Sequence, residues 1–395
     1  MSAPYWISTD TPIVTSSPKP LPHQVDVLII GAGLAGLATG MFLAEGGASV
    51  LVLEAREDAG LGVSGRQLGV VHCGLGDNAL RLEAAIGVRQ TGQILSFCND
   101  NLSILKDLGA LNPCGSLSIA MSDQEASEMP TVVSILKKHG LAATLWEAEH
   151  VNQTLHATGL GPACHIENTG TVNPNSLLTV LTERLVSAGG RIATNSPVET
   201  IDETPDGLCV TINKQLIQAE IVVMAAGAAI KSLDAYFHDK VYPVRTQAIA
   251  IQGSKDRFDH ACEAQYGYGF WRQTPSGQVL FGGCRWATPH LEVGETDDSI
   301  VVASINHKIQ AMIQRTFPDL AGQEIQQSWS GIMAFTCDGL PIIGPIPGRP
   351  RMVCCGGFNG RQYSLALKAA RIVSDGLLNG SAGDTPPLFR PQRFL

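Results

Sequence analysis

The chain has no cluster of lysine and arginine, no C-x-x-C pair, no internal repeat and no low-complexity tract. With 27 Lys+Arg against 36 Asp+Glu its net charge is −9, so nucleic acid or an anionic membrane surface would meet no basic face. Ten cysteines are scattered over 395 residues, and only Cys354 and Cys355 adjoin. That spacing excludes a disulfide framework or a zinc site, predicts no bound metal, and fits free thiols in a reducing compartment, the cytoplasm. Charged residues are few, 16%, beside 44% hydrophobic ones, the balance of a globular enzyme and not of a disordered or fibrous chain. Only residues 27–44 run free of charge for about the length a bilayer needs. Four internal glycines lower the helix propensity of that run, and the polar lead before it lacks a basic n-region, so neither a span nor a signal peptide is expected.

What the chain does contain is concentrated in residues 25–54, VDVLIIGAGLAGLATGMFLAEGGASVLVLE. A β-rich run over 25–30 leads into Gly31, Gly33 and Gly36, spaced G-x-G-x-x-G, at the point where a strand hands over to a helix. The first glycine permits a tight turn, the second lets backbone approach a pyrophosphate, and the third lets the helix lie close on the strand. The helix N-terminus offers N–H groups and a positive dipole end to phosphate. A second strand over 48–53 ends at Glu54, whose carboxylate suits an adenosine ribose and disfavours a 2′-phosphate. Strand, helix, strand and acid in register predict a dinucleotide-binding unit.

At this length two domains are expected. Residues 1–24 carry five prolines and predict an irregular lead-in. A loop over 60–76 precedes a helix over 80–108, a strand over 116–120 and a helix over 123–139. Asn173 is a candidate N-cap for a helix over 176–188. A strand over 221–224 ends in the small-residue turn 225–227. A β-rich block over 242–284 precedes a helix over 299–316. The expected fold is α/β: a discontinuous Rossmann-type nucleotide domain (1–95, 165–235 and 326–395) and a β-sheet-based α+β substrate domain (96–164 and 236–325).

The C-terminal stretch from Trp329 through Asp338 to Gly344, the loop 356–362 (GGFNGRQ) and Val244-Arg245-Thr246-Gln247 accompany the opening motif. Together they resemble the FAD-dependent D-amino-acid oxidase superfamily, with glycine oxidase, sarcosine oxidase and γ-glutamylputrescine oxidase as its relevant branches. Ser64-Gly65-Arg66, the block FWRQTPSGQVLFGG over 270–283 and the Tyr5-Trp6 lead are most similar to the last of these. The resemblance implies FAD held by Gly31, Gly33, Gly36, Glu54 and the adjoining Ala55. It further implies Ser64, Gly65 and Arg66 along the pyrophosphate and flavin, Val198 by the adenine, and Gly227 in the small turn. Gly357, Asn359, Gly360, Arg361 and Gln362 would face the flavin N1–C2=O edge, where a helix N-terminus or Arg361 stabilises the anionic reduced ring. Three departures matter. Met333 stands where glycine oxidase-like enzymes place a substrate-carboxylate arginine. Gly331 stands roughly where sarcosine oxidase-like enzymes attach FAD through cysteine, with Cys337 several residues on, so non-covalent FAD is expected. Residues 69–75 (GVVHCGL) resemble the G-V-I-H-x-G-I run of L-2-hydroxyglutarate dehydrogenases.

Catalytic candidates are His72, Arg285 and Trp271. His72 is either a base near neutral pH or a loop-holding side chain. Arg285 and Arg272 each either hold an anionic group or form rim charge. Tyr266, Tyr268, Phe270 and Trp271 give the aromatic density of an amine pocket or of sheet–helix packing, and strand alternation lets only one set, 266/268/270 or the Trp271 side, face a cavity. Arg66 either contacts cofactor or makes a loop ion pair. Cys73 and Cys337 read as inert core thiols. The resulting expectation is an FAD-dependent oxidoreductase acting on a primary or secondary amine or amino-acid-like substrate, with O2 as acceptor. A 2-hydroxyacid dehydrogenase using His72 as base, and a catalytically decayed flavin-binding subunit, are the alternatives.

Overall fold

The computed structural model describes residues 3–9, 13, 20–255, 257–380 and 385–395. Of the expected irregular lead-in, residues 1–2, 10–12 and 14–19 lie outside the described residues. Within it, Tyr5–Thr9 is a short helix that buries Tyr5 and Trp6.

Cα packing divides the chain into two units. The motif unit comprises Asp10–Gly65, Pro174–Pro243 and Met333–Leu395; the insert unit comprises Met1–Thr9, Arg66–Asn173 and Val244–Ile332. The first cut therefore falls after Gly65 and not after residue 95. Two pairings explain the difference: strand Val70–Val71 hydrogen-bonds to Gly170–Val172, and helix Ala79–Ile86 packs on Asp123–Lys138.

In the motif unit, strand Gln24–Ile30 runs parallel to Val50–Leu53 on one side and Gln215–Met224 on the other. Arg191–Ala193 continues the sheet beyond Val50–Leu53. One edge of Gln215–Met224 is divided between two partners. Gly207–Ile212 pairs antiparallel with its first half, and Arg349–Gly356 pairs parallel with residues 222–224. Leu28, Ile29, Leu51, Val52, Val222 and Val223 are fully buried, as expected of parallel strands covered on both faces. Each such side chain contributes about 1.5–3 kcal/mol. Helix Leu34–Glu45 is buried from Leu34 to Ala44 and packs against Pro174–Ser187 and Gln362–Asn379. This is why its sequence lacks charge: it is apolar all round because protein covers it all round. Among the described residues no helix is long and apolar enough to cross a membrane.

The insert unit is built on an eight-stranded sheet in the order Ile325–Thr336, Val241–Gln252, Gln278–Gly283, Gly269–Gln273, Ala261–Ala264, Ser116–Ile119, Ala163–Ile166, Ala143–Trp146. On one face Trp271, Phe281 and Phe317 form a buried cluster with Ile305 and Ile309 of helix Ala303–Thr316. That helix starts at Ala303, later than the expected 299. The helix expected over 80–108 is two, Ala79–Ile86 and Val88–Asp107, because Gly87 at φ 86° interrupts it. Helix Pro174–Ser187 begins directly after Asn173.

Candidate active site

In the motif unit the glycine turn is shaped by contacts that leave no room for a side chain at Gly31 or Gly36. A Cβ on Gly31 would lie 2.7 Å from the Ala225 carbonyl oxygen, and one on Gly36 would lie 1.8 Å from that of Gly31. The turn 225–227 thus lies directly against Gly31, and Gly227, at φ 58°, opens the short 3₁₀ turn that follows. Helix Leu34–Glu45 has no side-chain cap from Gly33, but Ser64 Oγ accepts from the Leu34 N–H at 3.0 Å. Glu54 stands at the end of the second strand. Its Oε2 accepts from Ala32 N at 2.9 Å and its Oε1 from Arg56 N at 3.0 Å, so the carboxylate is fixed beside the glycine turn. Ala55 is exposed next to it. Ser196 N donates to the Glu54 carbonyl at 2.8 Å, drawing residues 195–197, which lead into strand Val198–Thr204, alongside.

The C-terminal loop is a second backbone cradle in the same unit. Gly357, Asn359 and Gly360 all have positive φ, and helix Gln362–Asn379 follows without a side-chain cap at Arg361. Asn359 locks the loop: its Oδ1 accepts from Thr336 N at 2.8 Å and its Nδ2 donates to the Gly357 carbonyl at 2.8 Å. Tyr363 Oη donates to the Ser64 carbonyl at 2.5 Å, and Ser64 Oγ donates to Gln362 Oε1 at 3.4 Å, so this helix start is held beside the first helix start and Gly65. Gln362 is 8% exposed, and its Nε2 has no hydrogen-bond partner among the described residues. A buried amide donor left unmade costs about 1–3 kcal/mol. Two helix N-termini, a turn too tight for a Cβ at Gly31 or Gly36, and a donor unmet among the described residues fit a large anionic ligand with acceptor atoms. These residues can hold FAD, the phosphates against residues 31–36 and an acceptor edge against Gln362.

The remaining candidates lie in the insert unit. The Arg66 carbonyl accepts from Trp329 Nε1 at 2.7 Å. Its guanidinium donates to the carbonyl oxygens of Ser330 (3.1 Å) and Asp298 (3.3 Å) and pairs with the Asp298 carboxylate at 3.4 Å, the ion-pair reading. His72 is 3% exposed, with Nε2 3.6 Å from Glu263 Oε2. Arg285 donates to the Leu291 carbonyl at 3.1 Å and covers the Tyr268 ring at 4.5 Å. Arg272 is a structural cation. It is 4% exposed, donates to the carbonyls of Leu68, Gly69 and Val172, and stacks over Trp6 at 5.3 Å.

Two expectations are corrected. Trp271 is fully buried among Phe281 and Phe317 in the core cluster, which removes it from the catalytic candidates. Strand alternation sends its neighbour Phe270 to the opposite face. Cys337 is exposed and not a core thiol. The Cys73 thiol is raised well above its usual value by its hydrogen bond with Cys98 and then by burial, so it stays protonated. Tyr363 and Glu263 were not singled out from sequence. A lone charge in the short strand Ala261–Ala264 was the available signal for Glu263.

The family profile described as FAD dependent oxidoreductase (DAO) matches residues 26–376. The chain is similar to gamma-glutamylputrescine oxidoreductase of Escherichia coli (strain K12), 22% identical over 90% of this chain and 84% of that one. It is similar also to glycine oxidase of Geobacillus kaustophilus, 25% identical over 89% of this chain and 93% of that one. The crystal structure of glycine oxidase from Geobacillus kaustophilus superposes with a TM-score of 0.80 at 22% identity, covering 95% and 100% of the two chains. The chain belongs to the FAD-dependent oxidoreductase (DAO) family and is an enzyme whose cofactor is FAD.

Proposed function

We propose that the enzyme oxidises a primary or secondary amine, or an amino-acid derivative that presents one, with O2 as electron acceptor. The observation that carries this reading is Met333. Its side chain is 9% exposed and its sulfur lies 3.1 Å from where a Gly360 Cβ would be, so an apolar group occupies the position where the resemblance calls for an arginine. A buried substrate carboxylate needs a bidentate cation, and a simple α-amino acid finds none at this position. An amine or a derivatised amino acid needs none. A relative named for gamma-glutamylputrescine supports the amine class.

FAD supplies two-electron acceptance when bound. The chain supplies the rest. The start of helix Gln362–Asn379, with Arg361, favours negative charge on an acceptor edge. Burial at Ser64, Gly65 and Gln362 excludes water from the cradle. Non-covalent attachment is the reading for Cys337, which is exposed and six residues beyond Gly331. Ten free thiols support a reducing, cytoplasmic setting.

One observation favours a second reading. His72 Nε2 lies 3.6 Å from Glu263 Oε2, and a carboxylate so placed would support the imidazole as a base for a hydroxyl proton in oxidation of a 2-hydroxyacid. Anaerobic bleaching of the yellow holoenzyme separates the two. Polyamines, N-methyl amino acids and D- and L-amino acids are compared with 2-hydroxyacids. Bleaching by an amine is expected, and bleaching by hydroxyacids alone would replace the first reading with the second.

A further inference from the structure

In the run Ser64-Gly65-Arg66 the first two residues are held by the motif unit. Ser64 Oγ accepts from Leu34 N, the Ser64 carbonyl accepts from Tyr363 Oη, and Gly65 N donates to the Gly60 carbonyl at 2.9 Å. Those bonds leave the direction of the chain beyond Gly65 open, because glycine restricts its own dihedrals least. Arg66 removes that freedom. Its carbonyl accepts from Trp329 Nε1, and its guanidinium meets the Ser330 carbonyl and both the carbonyl and the carboxylate of Asp298. Ser330 Oγ donates to the same Asp298 carbonyl at 2.9 Å. The Arg66 and Asp298 side chains are each 14% exposed, so salt screens the pair little. Gly65 and Arg66 share a peptide bond, and whatever orders Arg66 orders the far side of Gly65.

Asp298 is carried on residues 288–302, which contain neither helix nor strand. Such a segment presents a carboxylate in one place only if it is itself held. The run Val244-Arg245-Thr246-Gln247, so far without a role, holds it. Val244 bridges to Val293, and Arg245 N donates to the Glu292 carbonyl at 3.0 Å. Arg245 Nε pairs with Glu292 Oε2 at 2.6 Å, the two side chains being 5% and 6% exposed, and Nη1 donates to the Asp297 carbonyl at 3.2 Å. Gln247 Oε1 accepts from Val302 N at 2.7 Å, and its Nε2 donates to the Val302 carbonyl at 3.0 Å. Leu291 and Glu292 stand at φ 52° and 60°, a conformation that such residues keep only where their surroundings over-determine it. Two guanidiniums thus grip successive carbonyls, Arg245 that of Asp297 and Arg66 that of Asp298.

We propose that Asp298 is a positioning residue for the cofactor: by holding Arg66 it orders the chain at Gly65 before FAD arrives, and so slows FAD release. A loop ordered beforehand loses less freedom on binding, and the difference appears chiefly in the dissociation rate. The proposal rests on the reading that Ser64 and Gly65 line the cofactor, and it is independent of which substrate is oxidised.

The test follows FAD release as the flavin fluorescence recovered on dilution of the holoenzyme. Asp298→Asn should release FAD at least fivefold faster than wild type, with circular dichroism unchanged. Arg66→Met should match it, and the double variant should go no further than either, because both break one tie. Asp297→Asn removes the same charge one residue away, where the carboxylate accepts from Ser299 N at 2.8 Å, and should release FAD as wild type does. Should Asp298→Asn fold poorly, Ser330→Ala takes its place and should speed release threefold or more. Release from Asp298→Asn within twofold of wild type, additive effects in the double variant, or an equal effect of Asp297→Asn would overturn the proposal. Gly33→Ala tells this failure from failure of the cofactor site. If it sheds FAD while Asp298→Asn does not, the Asp298 role alone falls; if it holds FAD as tightly as wild type, the cofactor site falls with it.

Discussion

Tyr363 Oη donates to the main-chain carbonyl of Ser64 at 2.5 Å, joining residues almost three hundred positions apart. The bond fixes the start of one helix against the serine that caps another. Tyr363→Phe keeps the ring and leaves a buried carbonyl unmade, which costs about 1–3 kcal/mol. Lower thermal stability and several-fold weaker FAD retention are expected, read by melting and by the ratio of flavin to protein absorbance. Unchanged retention would show that the two helix starts are positioned by other contacts.

The glycines of the turn should differ in tolerance. Gly36→Ala would set its Cβ 1.8 Å from a main-chain oxygen, whereas Gly33→Ala meets only the Ser64 hydroxyl at 3.0 Å. The first variant should purify with little or no FAD and a markedly lower melting temperature. The second should keep a fold near wild type and lose FAD affinity alone, since added bulk stands where backbone approaches phosphate. Circular dichroism with flavin content distinguishes them.

Arg272 serves the carbonyls of Leu68, Gly69, Val172 and Gln273 and an indole face at once. Arg272→Leu should destabilise strongly, at about 1–3 kcal/mol for each buried carbonyl left unmade. Arg272→Lys should recover little, because one ammonium cannot reproduce a planar fork. Urea titration measures both. If leucine costs under about 1 kcal/mol, the carbonyls are being met by water.

Trp146 is surrounded by His150, His165 and His260, with ring centroids 4.3, 4.5 and 5.3 Å away. Burial, then the neighbouring His260, lowers the His165 pKa, and burial lowers that of His260, against the opposing pull of Asp259. Glu167 also faces His165, and His150 faces both. With folded values below the unfolded value of about 6.5, the unfolded chain binds more protons once pH falls under it. Stability should therefore be full above pH 7 and decline toward pH 5. His165→Gln with His260→Gln should flatten that decline in denaturation midpoints. A slope identical to wild type would assign the acid sensitivity elsewhere.

How much of this could be read in advance follows physical lines. The glycine spacing and Glu54 were legible because local sterics dictate them. Gly87 went unread as a break because one glycine within an amphipathic pattern is tolerated as often as it interrupts. Strand Ile325–Thr336 was masked by its irregular burial, which gives no clean alternation. The partners of Arg272 and Arg66 were illegible for another reason. Both guanidiniums are satisfied chiefly by carbonyl oxygens, and a carbonyl carries no signature of residue type. Trp271 was misassigned because a period of two says that neighbours diverge, not which face is core.

The divided edge of strand Gln215–Met224 has a consequence for biosynthesis. Its hydrogen-bonding neighbours come from residues 24–30, 207–212 and 349–356. The sheet cannot close until residues 349–356 have left the ribosome. Contacts of such sequence separation are slow to form, and an unfilled strand edge invites pairing with other nascent chains. Cofactor capture accordingly waits on strand Arg349–Gly356 as well as on the glycine turn. A nonsense mutation anywhere before residue 349 should yield an aggregating product and not a smaller working enzyme.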